Sequence, residues 1–383
     1  MKKIFIVSLI FIGFIAKAQD DANRVITTAV PFLLIAADAR SAGMGDIGVV
    51  SSADAFSQQY NPAKYAFSLR EMGFSASYTP YLSQIAEDIA LGQATFFKKI
   101  NEQSAAAASI RYFSLGEIEL RDNSGAAGPI VKPNELALDG SYSLKLSEQF
   151  AMAVAGRYIR SQLRIPSDNA DVKPASSFAV DVAGYWQSEE QSYSDFNGRW
   201  KAGFNFQNLG PKISYDNDKV TDNFLPANLR LGTGFDFIFD DYNRVSTMVE
   251  FTKLLVPTPQ DFDNDGDMDN LDNDEYRKIG WVSGVFKSFN DAHDGFSEEL
   301  KEFTYSVGAE YMYQDTFAMR LGYFNENELK GARKFFTLGA GFKYNTVKID
   351  VSYLFSASKV KNPLENTLRF SLSFAFGDEY DEY

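Results

Sequence analysis

The 383-residue chain has no Cys, one His, 34 Phe and 20 Tyr, and its 37 basic and 51 acidic residues give a net charge of −14. Without thiols there can be no disulfide framework, zinc–thiolate centre or cysteine nucleophile, and the evenly spread negative balance offers no basic patch for nucleic acid. Aromatics at 15% exclude a disordered chain, although the mean hydropathy is only −0.24.

Residues 1–18 read as a secretory signal peptide. Lys2 and Lys3 precede an apolar run from Ile4 to Ile15, and Ala16-Lys17-Ala18 supplies a small-x-small cleavage site. The run is shorter than the roughly 20 residues a spanning helix needs. Beyond it the longest apolar stretch, Ala29 to Ala37, contains Pro31. Two destinations fit: a soluble exported protein or the bacterial outer membrane.

Residues 19–71 lack sustained alternation. Gly43, Gly45 and Gly48, with Asn61-Pro62, mark tight turns in a segment of small, mildly apolar residues, the composition expected of a plug folded inside a barrel. From Met72 onward the dominant period is two. Leu136, Leu138, Gly140, Tyr142, Leu144 and Leu146 alternate with Asp139, Ser141, Ser143 and Lys145; Phe178, Val180, Val182 and Trp186 alternate around Asp181. Runs of about ten residues with one apolar and one polar face match tilted membrane strands around a wet lumen. Aromatic residues at Tyr185-Trp186, Tyr311 to Tyr313 and Tyr353 to Phe355 suit interfacial girdles. The final run Leu368, Phe370, Leu372, Phe374, Phe376 ends on an outward aromatic.

Fifteen segments alternate well enough to be strands, but bacterial single-chain barrels use even numbers. Short turns near Ile100-Asn101, Ser147-Glu148, Asp240-Asp241, Gln314-Asp315 and Asn345 must all be periplasmic, and the loops 115–133, 209–226 and beyond 257 external. These assignments agree only if 277–289 does not cross. There Ile279, Val282, Phe286 and Phe289 fall at helical spacing. The expectation is an all-β, 14-stranded antiparallel transmembrane barrel over 72–376, with a partly helical extracellular insertion at 257–302 and an acidic tail at 377–383.

The insertion opens with Asp261-Phe262-Asp263-Asn264-Asp265-Gly266-Asp267-Met268-Asp269-Asn270-Leu271-Asp272. Carboxylates at positions 1, 3, 5, 9 and 12 with Gly at 6 reproduce the 12-residue calcium loop, in which alternate side chains point inward to a cation taking six to eight oxygens. Asp261, Asp263, Asp265, Asp267 (through its carbonyl), Asp269 and Asp272 are the expected Ca²⁺ ligands, with Asp272 in place of the usual Glu. The ion would staple the base of the insertion. His293 lies between Asp291 and Asp294 without a Gly-x-Ser-x-Gly nucleophile turn, so it reads as a loop surface residue and not as a catalytic base. With Phe286, Phe289 and Phe296 it is a candidate partner contact. Lys330, Arg333 and Lys334 near the outer rim are candidate contacts to lipopolysaccharide.

Ala39-Arg40-Ser41-Ala42-Gly43-Met44-Gly45, Asp54-Ala55 and Asn61-Pro62-Ala63 resemble the N-terminal hatch of FadL-type outer-membrane barrels. The stretch from Asp54 through Asn61-Pro62-Ala63-Lys64, with Ser288-Phe289-Asn290-Asp291-Ala292-His293-Asp294-Gly295-Phe296-Ser297-Glu298-Glu299-Leu300, resembles the PorV (LptO) family. That resemblance implies a non-enzymatic component of the type IX secretion system. Such a protein sits beside the translocon barrel, binds cargo by its C-terminal signal domain and carries it to an attachment complex containing a PorU-like sortase, amid outer-membrane lipid. The alternative is a FadL-type channel for hydrophobic small molecules such as long-chain fatty acids, which would need a continuous apolar path to the plug.

Overall fold

Alternating segments leave backbone groups that can be satisfied only by neighbouring strands, and in hydrocarbon a sheet must close on itself to have no edge. The computed structural model describes residues 25–379 apart from 83–87, 122–124, 164–172, 216–221, 264–268, 294 and 359–361. It shows that closure. The fourteen long strands are β1 (Arg70–Pro80), β2 (Ile89–Lys99), β3 (Ser104–Leu115), β4 (Asn134–Lys145), β5 (Phe150–Gln162), β6 (Ala175–Gln187) and β7 (Asn197–Leu209). They continue as β8 (Asn228–Ile238), β9 (Asn243–Leu254), β10 (Thr304–Tyr313), β11 (Phe317–Asn325), β12 (Lys334–Tyr344), β13 (Val347–Ser356) and β14 (Leu368–Glu379). Each pairs antiparallel with its sequence neighbour, and β14 closes on β1 from Tyr78↔Phe370 to Arg70↔Glu379.

Leu138, Tyr142, Phe178, Val180 and Phe370 are exposed on the outer face as expected, and so are Phe336 and Leu338, while Asp139, Ser143 and Asp181 are buried inside. One end carries short turns and the other the long loops, in agreement with the turn assignment. The segment 277–289 does not cross; α3 (Asn270–Lys278) and α4 (Trp281–Lys287) occupy it, and a third short helix, α5 (Phe296–Glu299), follows. The alternation also extends further than expected at both barrel ends. β1 starts at Arg70, and β14 runs to Glu379, so Gly377 to Glu379 belong to the last strand and not to a tail. The external loop 115–133 folds into its own hairpin, Ile118–Arg121 against Ala127–Val131. The signal peptide and residues 380–383 lie outside the described residues.

The segment from Pro31 to Phe67 is buried inside the ring as short turns, including helices α1 (Ala39–Ala42) and α2 (Ser57–Tyr60). Met44, Ile47, Val49 and Val50 pack on the inward Met248. Each such side chain contributes about 1.5–3 kcal/mol by leaving water. Phe32 and Leu33 pack with Leu91, Phe113 and Ile159 of the wall.

Candidate partner-binding insertion over a sealed lumen

The plug is held by side chains whose types the sequence reading singled out without their partners. Asp38 caps α1 by accepting from the Ser41 amide at 2.8 Å, and it also receives the Tyr60 hydroxyl at 2.7 Å. Asn61 explains the Asn-Pro-Ala element. Its Oδ1 accepts from the Ala63 amide at 3.1 Å, while Nδ2 donates to the Gly184 carbonyl of β6 at 2.9 Å and to Val49 at 3.1 Å. Glu250 of β9 accepts from the Gly48 and Val49 amides, both at 3.0 Å. Arg111 of β3 donates to the carbonyls of Phe32, Leu33 and Ile35 at 2.8–3.0 Å.

Arg40 lies at the centre. It donates to Glu310 of β10 at 3.0 and 2.7 Å and to Asp54 at 2.8 Å, and Glu310 also pairs with Arg320 at 2.6 Å, which reaches Asp350 at 2.7 Å. A second buried group joins Arg157 to Asp139 and Asp181. Many inward charged residues at this level are therefore engaged by ion pairs with one another and with the plug, because buried charge must be compensated. Burial pushes the Lys64 ammonium down to about 8, although its Nζ donates to the Gly48 carbonyl at 2.7 Å. Tyr185, expected at an interfacial girdle, faces inward and stacks edge-on against Phe67 of the plug; only Trp186 of that pair is on the outward phase. Among the described residues the strand pairing runs unbroken around the barrel.

Sequence reading missed the inward glycines Gly308, Gly322 and Gly339 on three adjacent strands. They form a slot for the plug's Gly43-Met44-Gly45 turn, with Gly45 at φ +73°. The signal was present in the strand phase: Gly308 shares its face with Glu310, and Gly322 with Arg320.

Above the rim, the insertion is fastened by a buried charge cluster. Lys253 at the end of β9 reaches Glu299 at 3.0 Å and Glu302 at 2.5 Å, and Lys330 reaches Glu298 at 2.7 Å and Glu302 at 3.0 Å. Lys330 is thus turned inward and cannot meet lipopolysaccharide. Arg333 and Lys334 are paired with Glu326 and Glu328. Glu299 accepts from the Asp291 and Ala292 amides at 2.7 and 2.9 Å and so fixes the turn bearing His293. Burial, with Glu302 and Glu299 close by, raises the Asp291 carboxyl to about 6. Burial would also raise Glu302, but bonds from Lys253 and Thr258 hold it below its ordinary range.

In the Asp-rich loop, carboxylate oxygens of Asp261, Asp263 and Asp272 lie within 4.8 Å of one another. Asp272 is buried in the first turn of α3 and accepts from the Phe262 amide at 2.6 Å and the Asp269 amide at 3.0 Å. Asp269 is the α3 N-cap and is not in that group. Asp265 and Asp267 lie outside the described residues. Three of the six expected ligands therefore converge, with hard oxygen donors suited to Ca²⁺. Phe286, Phe289, His293 and Phe296 are all exposed, Phe286 by 73% and Phe296 by 76%. Phe286 borders a cleft of about 500 Å³ that Pro257, Phe262 and Ile279 also line.

A family described as type IX secretion system protein PorV matches residues 17–261, which span the plug, the first nine strands and the start of the Asp-rich loop. The chain belongs to the PorV family. It is a type IX secretion component of the bacterial outer membrane. Among solved structures it is similar to the CymD monoaromatic hydrocarbon channel, with TM-score 0.51 and 12% identity over 91% of this chain and 99% of that one. It is also similar to a TodX deltaS2S3 mutant monoaromatic hydrocarbon channel, with TM-score 0.50 and 12% identity over 88% and 98%. A Pseudomonas aeruginosa FadL homologue aligns at 12% identity over 92% and 99%, with TM-score 0.47. At such identity the first two likenesses concern the fold alone. No curated protein matches the chain.

Proposed function

We propose that this PorV-family barrel is a non-enzymatic carrier. It binds the C-terminal signal domains of secreted cargo, docks beside the translocon barrel and delivers cargo to the PorU-like attachment complex. The observation that carries the reading is the contrast between the two places where a ligand might go. The lumen is packed with plug and ion pairs, whereas the extracellular insertion displays Phe286 and Phe296 on a frame fastened to the rim through Lys253 and Lys330. Large exposed aromatics above the membrane are poor for solubility and suit partner contact. The test is affinity purification of the full-length barrel from outer membranes. Co-recovery of a translocon and of proteins sharing a C-terminal domain supports the carrier. A barrel recovered without them, but saturably binding long-chain fatty acid, refutes it.

Calcium belongs to the same proposal. Asp261, Asp263 and Asp272 would hold the ion, which would tie the loop entering the insertion to the first turn of α3.

A further inference from the structure

On the lipid-facing side of the wall, near its periplasmic end, strands β7 to β10 enclose a groove of about 470 Å³. Its origin is local. Gly198 of β7 puts no side chain on the outer face, and the ring of Phe235 from β8 leans across it, so that a methyl on Gly198 would strike that ring. The periplasmic turn 188–196 folds back through Gln191 and Ser192 onto the start of β7. It thereby sets Tyr193 and Phe196 beside Phe235, at 6.0 and 6.3 Å between ring centroids, with Trp200 at 4.7 Å.

With these aromatics drawn towards β7, the floor of the groove is left to short side chains: Thr233, Thr247, Val249 and Val307. Thr233 lies opposite Val249, which in turn lies opposite Val307. Both threonine hydroxyls are spent on carbonyls, donating to Lys201 at 3.1 Å and to Phe235 at 3.4 Å. The recess is therefore apolar, and what surrounds it is hydrocarbon. An acyl chain laid between the rings and the floor touches protein on more sides than one lying on a flat wall, which adds dispersion contacts. From Phe237 at the rim to Thr233 is about 13 Å at about 3.3 Å per residue, close to half of a core about 30 Å thick. The groove thus has the depth of the periplasmic leaflet.

The mouth of the groove decides the headgroup. The two turns that border it carry Glu189, Asp195, Asp240 and Asp241, all exposed. The arginines on the same strand ends do not offset them at the surface: Arg199 is buried beside Glu190 at 3.8 Å, and Arg244 pairs with Asp315 at 3.1 Å. Such a mouth repels an anionic headgroup and attracts an ammonium.

We propose that this groove binds a phospholipid of the periplasmic leaflet whose headgroup carries an ammonium, as that of phosphatidylethanolamine does. One acyl chain runs over Thr247 and Thr233 beneath Trp200 and Phe235, and the ammonium rests at Asp195 and Asp241. The site is on the barrel wall, at the opposite end from the extracellular insertion.

Trp200 is its reporter. The chain has three tryptophans, and in the full-length barrel Trp186→Phe with Trp281→Phe leaves Trp200 alone. The barrel is reconstituted in phosphatidylglycerol vesicles into which acyl-brominated phosphatidylethanolamine or acyl-brominated phosphatidylglycerol is titrated. Half of the full quenching of Trp200 should be reached at a mole fraction about fivefold lower for the ethanolamine lipid. Thr247→Phe, which fills the floor from an exposed position, should bring the two curves together, as should Asp195→Asn with Asp241→Asn. Coincident curves in the parent barrel, or a preference that survives Thr247→Phe, overturn the proposal. Folding of each variant is checked by heat-dependent gel mobility. In a second measurement, Trp200→p-benzoylphenylalanine is illuminated in outer membranes. A barrel heavier by one phospholipid is the expected product; an adduct to a second polypeptide would assign the groove to a protein partner and defeat the lipid site.

Discussion

Gly45 of the plug and Gly322 of β11 meet backbone to backbone: a methyl group on Gly322 would lie 2.1 Å from the Gly45 amide nitrogen. Neither partner is a flexible side-chain end, and the Gly45 amide is committed to Thr337 Oγ1 at 2.9 Å. Gly322→Ala should therefore displace the plug or destabilise the barrel by about 1–3 kcal/mol, the usual cost of overpacking. The check is a lower temperature for the loss of heat-dependent gel mobility, together with protease cleavage appearing between residues 31 and 67. Gly140→Ala, where no atom lies near the added methyl, is the neutral control.

Among the described residues, Glu310 is the one carboxylate that contacts both Arg40 and Arg320. Glu310→Gln leaves two buried guanidinium groups short of charge, and about 3–5 kcal/mol is expected from breaking such a pair. Arg40→Met should cost less, because Glu310 retains Arg320. A ranking in which Arg40→Met is the more damaging would contradict this account of the plug.

Asp291 titrates in the opposite sense to its neighbour Glu302. Its folded value, about 6, lies above the ordinary 3.8, so the folded state holds the proton more tightly and stability from this group falls as pH rises through that interval. For Glu302, held low, stability is present above its unfolded value and is lost on acidification. Asp291→Asn should therefore protect the insertion at pH 7 and change little at pH 4. Hydrogen exchange of residues 270–302 reads the difference; protection gained at pH 4 alone would refute the assignment.

If calcium ties the Asp-rich loop, a chelator should raise hydrogen exchange across α3, and Asp263→Asn should lower calcium affinity about tenfold or more. Calorimetry on the full-length barrel measures this. Absence of calcium heat in the intact protein would remove the ion from the structure.

Phe286→Ala with Phe296→Ala should leave barrel folding unchanged, since both rings are exposed. Cargo recovery should fall by about thirtyfold if they act as hot spots worth about 2 kcal/mol. Undiminished recovery would move the cargo contact off the insertion.

Much of this was legible along the chain, because hydrocarbon imposes a local rule: every second residue of a spanning strand must be apolar. Leu136 to Leu146 and Leu368 to Phe376 announce their outward faces without reference to any neighbour, and the parity of a closed sheet exposed 277–289 as helical. The Asp-x-Asp-x-Asp-Gly spacing and the exposed phenylalanines were equally local. What only the tertiary structure decided was the inside. Whether Asp139 and Asp181 meet water or Arg157, whether Tyr185 faces lipid or Phe67, and whether Lys330 reaches outward or is folded onto Glu298 depend on residues far away in sequence. So does the slot that Gly308, Gly322 and Gly339 open for Gly45. An alternating pattern specifies which face a side chain takes, but not what stands opposite it, and in a plugged barrel the partner comes from the other end of the chain.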